Sequence, residues 1–113
     1  MQHDQIPTAL WIDAQLRSWA ANGGAYYIVH KGAYSSGTIL LKINTLSAGG
    51  CLLQQQQRDL NGDLGWMTLF KGSAVPETQA DEYIRIAVDR DPDLWVIEVE
   101  DKERRNPFEG TIF

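Results

Sequence analysis

Residues 38–44 read TILLKIN, residues 51–58 read CLLQQQQR and residues 65–71 read GWMTLFK. Each run contains aliphatic, aromatic or β-branched residues and is bounded by turn-forming residues, so each is predicted to be a β-strand. The clearest turn is DLNGD at residues 59–63, because Asn-Gly readily adopts positive φ angles. The short connections predict an antiparallel meander of three strands.

The alternation of side chains along these strands predicts which residues are buried. Successive side chains of a strand point to opposite faces of the sheet. In the strand over residues 65–71, this rule places Trp66 and Phe70 on one face. The side chains predicted to form the core are Ile39, Leu41, Ile43, Trp95 and Ile97.

Two helices and two further strands flank the meander. Helical spacing of apolar residues predicts helices over residues 9–21 and 76–90, the first with Thr8 as its N-cap. The remaining strands are predicted over residues 25–30 and 94–100. The order α-β-β-β-β-α-β indicates an α+β fold with a mostly antiparallel sheet of about five strands. Both helices are expected on one face, with Gln and Glu side chains facing water on the other.

The chain is short and acidic, with 113 residues, a net charge of −5 and one cysteine, Cys51. This length fits a single domain, residues 1–113, in which residues 1–7 and 101–113 are expected to be flexible or docking segments. One cysteine favours a reducing, cytoplasmic compartment. Basic residues are scattered and no apolar run approaches the length of a membrane span, so neither nucleic acid nor a membrane is expected as a partner.

Acidic residues near the C-terminus imitate a calcium-binding loop. Asp89, Asp91 and Asp93 alternate, and Glu100 follows eleven positions after the first of them. An EF-hand loop requires Gly at its sixth position, where this chain has Leu94. The spacing therefore favours surface acids, and no metal site or other cofactor is expected.

A small enzyme using dispersed acidic residues is the alternative functional hypothesis. Glu98 and Glu100 point to the same face of the predicted last strand, and two neighbouring carboxylates can share a proton. His30 is a third candidate, although it has no obvious partner in the sequence. No phosphate-binding loop or nucleophile elbow accompanies these residues.

The C-terminal tail carries the candidate partner-binding residues Phe108, Ile112 and Phe113. Burying each of these side chains is worth roughly 1.5–3 kcal/mol, less the entropy of ordering the segment. Two destinations are open for them. The tail can dock on its own domain, which the high effective concentration favours, or insert into a second copy and produce a homodimer.

Residues 91–101, DPDLWVIEVED, resemble the C-terminal signature of a family of small alphaproteobacterial proteins catalogued as domain of unknown function 1491. Residues 10–12, the Gly24-Ala25 step and Val75-Pro76 are also similar to that family. The resemblance covers nearly the whole chain, apart from residues 107–113. It implies a bacterial cytoplasmic protein, but it implies no activity and assigns no functional residue.

These observations favour a non-catalytic protein-binding or adaptor module over an enzyme. Catalytic motifs are absent from the sequence, whereas a short meander leaves at least one sheet edge unpaired. An apolar tail follows the last predicted strand. The expected partner is another protein or a second copy of this chain.

Overall fold

The computed structural model describes residues 6–113. Within them, two α-helices and six β-strands follow the predicted order, with one additional strand at the end. The bounds are α1 Thr8–Ala21, β1 Ala25–His30, β2 Ile39–Asn44, β3 Cys51–Arg58, β4 Leu64–Thr68, α2 Glu77–Arg90, β5 Trp95–Glu100 and β6 Thr111–Ile112. The α+β fold class is confirmed.

The six strands form one sheet in the order β1-β5-β2-β3-β4-β6. β2, β3 and β4 are antiparallel neighbours, so the predicted meander is confirmed. β5 lies between β1 and β2, antiparallel to β1 and parallel to β2. β6 pairs in parallel with β4, so β1 and β6 are the two outer strands.

The two helices lie on opposite faces of the sheet. α1 packs on the face that holds Ile39 and Leu41, whereas α2 packs on the face that holds Leu40 and Val96. The prediction that both helices cover one face is therefore wrong. Leu40 alternates with the polar residues Thr38 and Lys42 along the chain, yet it is fully buried in the core beneath α2.

Two hydrophobic cores result, one on each side of the sheet. The α1-side core includes every side chain that the strand alternation predicted to be buried, and each of them is at most 4% exposed. Those confirmed core residues are Ile39, Leu41, Ile43, Trp95 and Ile97. The α2-side core contains Leu40, Cys51, Leu53, Val75, Ala80, Ile84, Leu94 and Val96.

The Gln side chains of β3 do not simply face water. Gln54 and Gln56 are buried on the α1 side of the sheet. Asn106 Nδ2 donates to Gln54 Oε1 at 2.9 Å, so the tail supplies a polar partner at this point. The expected solvated face is wrong for both residues, and for Gln54 the reason is this contact with Asn106 of the tail.

The first turn of α1 differs from its predicted capping. Pro7 occupies the N-cap position, and Thr8 is the first residue of the helix. The Thr8 hydroxyl instead donates to the carbonyl oxygen of Ser35 at 3.4 Å. Thr8 therefore joins α1 to the loop that follows β1, and its prediction as an N-cap is wrong.

Phe70 also lies on a different face from the predicted one. β4 ends at Thr68, and Phe70 and Lys71 adopt positive φ angles of 53° and 56° in a short 3-10 turn. This turn breaks the strand alternation. The Phe70 ring meets Tyr83 of α2 edge-on at 5.6 Å, while Trp66 remains in the α1-side core.

Candidate functional site

β1 forms an exposed outer edge of the sheet. It pairs with β5 on one side, and no strand within residues 6–113 pairs with its other side. Its four central side chains, Tyr26, Tyr27, Ile28 and Val29, are 38–52% exposed. Natural edge strands usually carry charges or proline that prevent pairing with other chains, but residues 25–29 contain neither.

The end of α1 fixes the start of this strand. Trp19 Nε1 donates to the carbonyl oxygen of Ala25 at 3.0 Å. A Cβ atom at Gly24 would lie 2.4 Å from the Trp19 indole, so a glycine is needed where the chain passes that ring. At the other end of β1, the register with β5 shifts between Ile28 and His30, which marks a β-bulge at Val29.

The sequence predicts β1 as a strand but gives no sign that the strand is an exposed surface. A half-buried strand alternates apolar and polar residues, whereas Tyr26 to Val29 are apolar on both faces. Such a run is typical of a central strand covered on both sides. Its exposure depends on the position of β5, which a local pattern does not reveal.

Glu98, one of the candidate acids, is held in an ion-pair cluster around Lys42. Glu98 and Lys42 lie opposite each other on β5 and β2, with 3.2 Å between Glu98 Oε1 and Lys42 Nζ. Lys42 Nζ also bonds to Glu77 and Asp81 of α2, each at 2.8 Å. Glu98 therefore neutralises a buried ammonium group rather than pairing with Glu100.

The Lys42 ammonium group is locked in its charged form. Burial alone would lower the pKa of Lys42, but the hydrogen bonds that its ammonium group donates to Asp81 and Glu77, together with the charge of Glu98, raise that pKa well above its ordinary value. A lysine that acts as a nucleophile must lose its proton near neutral pH. The cluster is therefore suited to holding α2 on the sheet and unsuited to amine catalysis.

His30 and Glu100 lie at opposite ends of the β1–β5 pairing. His30 is opposite Val96, whereas Glu100 is opposite Ala25. His30 Nδ1 lies 2.7 Å from the carbonyl oxygen of Leu94, a geometry in which that nitrogen donates its hydrogen. Glu100 Oε1 accepts a 3.5 Å hydrogen bond from the Tyr27 hydroxyl. The three candidates Glu98, Glu100 and His30 are thus not brought into one site.

Two grooves on the surface do not unite these acids either. One, of about 500 Å³, runs beside α2 and is lined by apolar parts of Tyr83, Ile86 and Leu94. Another, of about 550 Å³, lies near the end of α1 and is lined by Glu100 and Asp101 among others. Neither groove is lined by Glu98 or His30.

Cys51 is packed as a small apolar residue. Its side chain is buried in the α2-side core, and burial raises the pKa of its thiol. Its backbone exchanges hydrogen bonds with Val75, with N···O distances of 2.8 and 2.9 Å. A buried, protonated thiol is a poor nucleophile, so Cys51 offers no catalytic group in this conformation.

The C-terminal tail docks on its own chain. Phe108 is 6% exposed and stacks between Trp11 and Trp66, with 5.4 Å between ring centroids on each side. Ile112 belongs to β6, and the backbone of Phe113 bonds to both Trp66 and Thr68 of β4. Ile112 and Phe113 keep 49% and 42% of their surface exposed, so only Phe108 enters the core.

Residues 6–113 contain no group of three or more His, Cys, Asp or Glu side chains arranged to hold a metal ion. In the same part of the chain, neither helix is long and apolar enough to cross a membrane. Asp89, Asp91 and Asp93 accordingly surround the junction between α2 and β5 without forming a cluster of ligands.

The fold resembles solved bacterial structures closely. A crystal structure of a DUF1491 family protein from Caulobacter crescentus matches with a TM-score of 0.85 and 26% identity, covering 96% of this chain and 99% of that one. An NMR structure of a DUF1491 family protein from the same species gives 0.82 and 27%, with 96% of each chain covered.

A more distant match is the solution structure of protein Atu0922 from A. tumefaciens, with a TM-score of 0.69 and 21% identity over 84% of this chain and 85% of that one. No curated protein matches the chain. The family model described as "Protein of unknown function (DUF1491)" matches residues 6–109. The chain therefore belongs to the DUF1491 family.

Proposed function

We propose that this protein is a non-catalytic protein-binding module and that β1 is its binding surface. The observation that carries the proposal is the outer edge of β1, where Tyr26, Tyr27, Ile28 and Val29 are exposed together. An extended segment of a partner can add to such an edge through main-chain hydrogen bonds, with the side chains on each face supplying specificity. Tyrosine is enriched at protein interfaces because its ring is large, rigid and amphipathic.

The alternative of a small enzyme has less support. Glu98 forms an ion pair with Lys42. His30 and Glu100 lie at opposite ends of the β1–β5 pairing. The tail, whose Phe108, Ile112 and Phe113 were candidate contacts for a partner, is occupied in pairing with β4 of its own chain. β1 therefore supports partner binding better than the tail does.

Site-specific photo-cross-linking tests this proposal. A photoreactive phenylalanine analogue replaces Tyr27 in one variant and Leu60, an exposed turn residue, in a control variant. We expect discrete protein adducts from position 27 and none from position 60. Each adduct partner is then purified and tested against the Ile28→Pro variant, which should no longer bind it. If position 27 gives no adduct, or if Ile28→Pro binds the partner unchanged, the proposal fails.

A further inference from the structure

We infer that the strand added to β1 belongs to a second copy of this chain, paired antiparallel about a twofold axis that passes between the two Tyr27 residues. This inference rests on the proposed function, because it names the partner of the same surface. It joins the two six-stranded sheets into one continuous sheet. The evidence is the direction of the backbone groups of β1, the position of its bulge and the charges at its ends.

The hydrogen bonds between β5 and β2 show which groups of β5 face β1. Trp95 N donates to Thr38 O at 2.8 Å, and Asp101 N donates to Asn44 O at 2.9 Å. Successive residues of a strand direct their backbone N–H and C=O groups to opposite sides. Odd-numbered residues of β5 therefore bond to β2, and even-numbered residues bond to β1.

The register of β1 then identifies its free backbone groups. Ala25 and Tyr27 lie opposite the even-numbered residues Glu100 and Glu98, so their N–H and C=O groups point to β5. Tyr26 and Ile28 alternate with them and direct their N–H and C=O groups outward. No strand within residues 6–113 reaches that side.

A twofold axis at Tyr27 pairs both outward residues at once. Tyr26 of one copy lies opposite Ile28 of the other, and each such pair exchanges two N–H···O=C hydrogen bonds. Tyr27 lies opposite its own symmetry mate as a non-hydrogen-bonded pair, with Cα atoms roughly 4.5 Å apart. The bulge at Val29 ends the regular edge, so a register centred further along the strand would lose one of these pairs.

The side chains fit this register. Tyr26 and Ile28 are 38% and 46% exposed, and they meet as aromatic and β-branched cross-strand neighbours. The Tyr27 rings, 52% exposed, meet on the other face. No charged residue lies within residues 25–29, so like charges do not meet at the axis.

Charges at the ends of the strand are complementary. In this register the exposed Lys31, which follows β1, lies opposite Gly23 of the other copy, two residues before its Ala25. Ala25 lies next to Glu100 on β5. Each end of the interface therefore carries a positive group of one copy and a negative group of the other, an arrangement that favours this pairing in a molecule whose net charge is −5.

Sedimentation velocity over a concentration series tests the inference on the full chain. We expect a species of about twice the 12.7 kDa chain mass. Tyr27→Lys places two ammonium groups face to face at the axis and should return the protein to a monomer. The matched control is Tyr34→Lys, because Tyr34 is 55% exposed but lies outside β1. Far-ultraviolet circular dichroism establishes that both variants are folded.

Disulfide formation gives a second test that does not require a disruptive substitution. Under mild oxidation, Tyr27→Cys should form an intermolecular disulfide, since its Cα atoms meet within the roughly 4.4–6.8 Å range of such bonds. Val29→Cys should not, because its symmetry mates lie several residues apart along the strands. The buried Cys51 can stay in both variants, with the unsubstituted chain as a control.

The possible outcomes separate this inference from the proposed function. A full chain that stays monomeric at every concentration, or a Tyr27→Cys variant that forms no disulfide, overturns the second copy as the partner. If photo-cross-linking at position 27 still captures a different protein that Ile28→Pro fails to bind, the binding function of β1 survives that result. If position 27 forms an adduct neither with a second copy of this chain nor with another protein, both proposals are refuted.

Discussion

The Phe108 ring stacks on the indole of Trp66, with 5.4 Å between the ring centroids and 25° between the planes. Trp66 Nε1 also donates to the carbonyl oxygen of Glu109 at 3.0 Å, so the tail is held by both a ring contact and a polar contact. The tail thus completes the α1-side core, with Phe108, a residue that follows β5 in the chain.

Phe108→Ala should lower the free energy of unfolding by about 3–5 kcal/mol, because it removes a buried ring and leaves a cavity between two indoles. Denaturant unfolding measures this change. Phe113→Ala is the control, since Phe113 is 42% exposed and its loss should be much smaller. Equal losses in the two variants would contradict the placement of Phe108 in the core.

A chain ending at Asn106 should be less stable than the full chain and keep the same oligomeric state. The reason is that Phe108 and β6 contact their own domain. Sedimentation of the truncated and full-length proteins provides the measurement. Conversion of a full-length dimer into a folded monomer by this truncation would show that the tail, rather than β1, forms the interface.

Lys42→Met should lower the free energy of unfolding by about 1–3 kcal/mol at neutral pH. The reason is that the substitution leaves the largely buried Glu98 carboxylate without its cation. The pKa of Lys42 is raised by folding, so its stabilisation is present below the ordinary value of 10.5 and is lost as pH rises through the folded value. The difference between Lys42→Met and the parent should therefore shrink only in strong alkali.

Arg85→Met is the control for the Lys42 variant, because Arg85 bonds Glu82 and Asp89 on the exposed face of α2. Its effect on thermal unfolding should be much smaller. If the two substitutions have equal effects, the Lys42 cluster does not hold α2 on the sheet.

Asp101→Asn should reduce stability at neutral pH and have progressively less effect in acid. Its carboxylate accepts hydrogen bonds from Arg105 Nε at 2.9 Å and Arg105 N at 2.8 Å, and chiefly the side-chain bond lowers the pKa of Asp101. A lowered folded pKa contributes stability above the ordinary value of 3.8 that is lost as pH falls through the folded value.

Unfolding of the Asp101 variant and its parent at a series of acidic pH values measures this effect. Arg105→Gln is the matched variant, because it removes the guanidinium group and keeps the backbone donor. The stability difference between Arg105→Gln and the parent should also shrink in acid, but by less than the difference for Asp101→Asn. A stability difference between Asp101→Asn and the parent that stays constant from neutral pH into acid would refute the explanation.

Leu41→Ala should cost about 2–5 kcal/mol of stability, because Leu41 is fully buried in the α1-side core. Leu60→Ala provides the comparison, since Leu60 is fully exposed on the turn between β3 and β4. Thermal unfolding of both variants tests the face assignment of β2. An unchanged midpoint in Leu41→Ala would contradict that assignment.

Millimolar calcium should leave the melting temperature unchanged. The acidic residues from Asp89 to Glu100 surround a buried Leu94 at the position where a calcium loop needs glycine. A ligand that binds the folded state raises stability by mass action. A reproducible increase in melting temperature with calcium, absent with sodium at equal ionic strength, would restore the calcium hypothesis.

Local patterns in the sequence predicted the elements well. The bounds of β1 and β3 match their predicted residues, and both helices begin within one residue of their predicted starts. These features follow from hydrophobic periodicity and from turn residues, which act within a few positions along the chain. The buried faces of β2 and β5 were predictable for the same reason.

Long-range packing accounts for the errors. A lysine in a strand is typical of a solvated face, but carboxylates from α2 and β5 surround Lys42, so the strand beneath α2 carries a buried charge. The sequence predicts that Gln54 faces solvent. Its burial depends on a contact with Asn106, which lies 52 positions further along the chain and therefore outside any local pattern. The sequence does not predict the candidate site on β1, because the exposure of a strand depends on its position in the sheet. The order of strands in the sheet is set by pairing between segments that are distant along the chain.

The insertion of β5 beside β1 has a consequence for protein synthesis. The only strand within residues 6–113 that pairs with β1 is β5, which begins about 65 residues after β1 ends. Ribosomes add roughly 5–20 residues per second, so a nascent chain carries an unpaired, tyrosine-rich β1 for several seconds before its neighbour emerges. Ribosome-bound chains arrested at Arg90 should accordingly leave residues 25–30 open to hydrogen exchange, and protection of those residues at that length would show that β1 is ordered without β5.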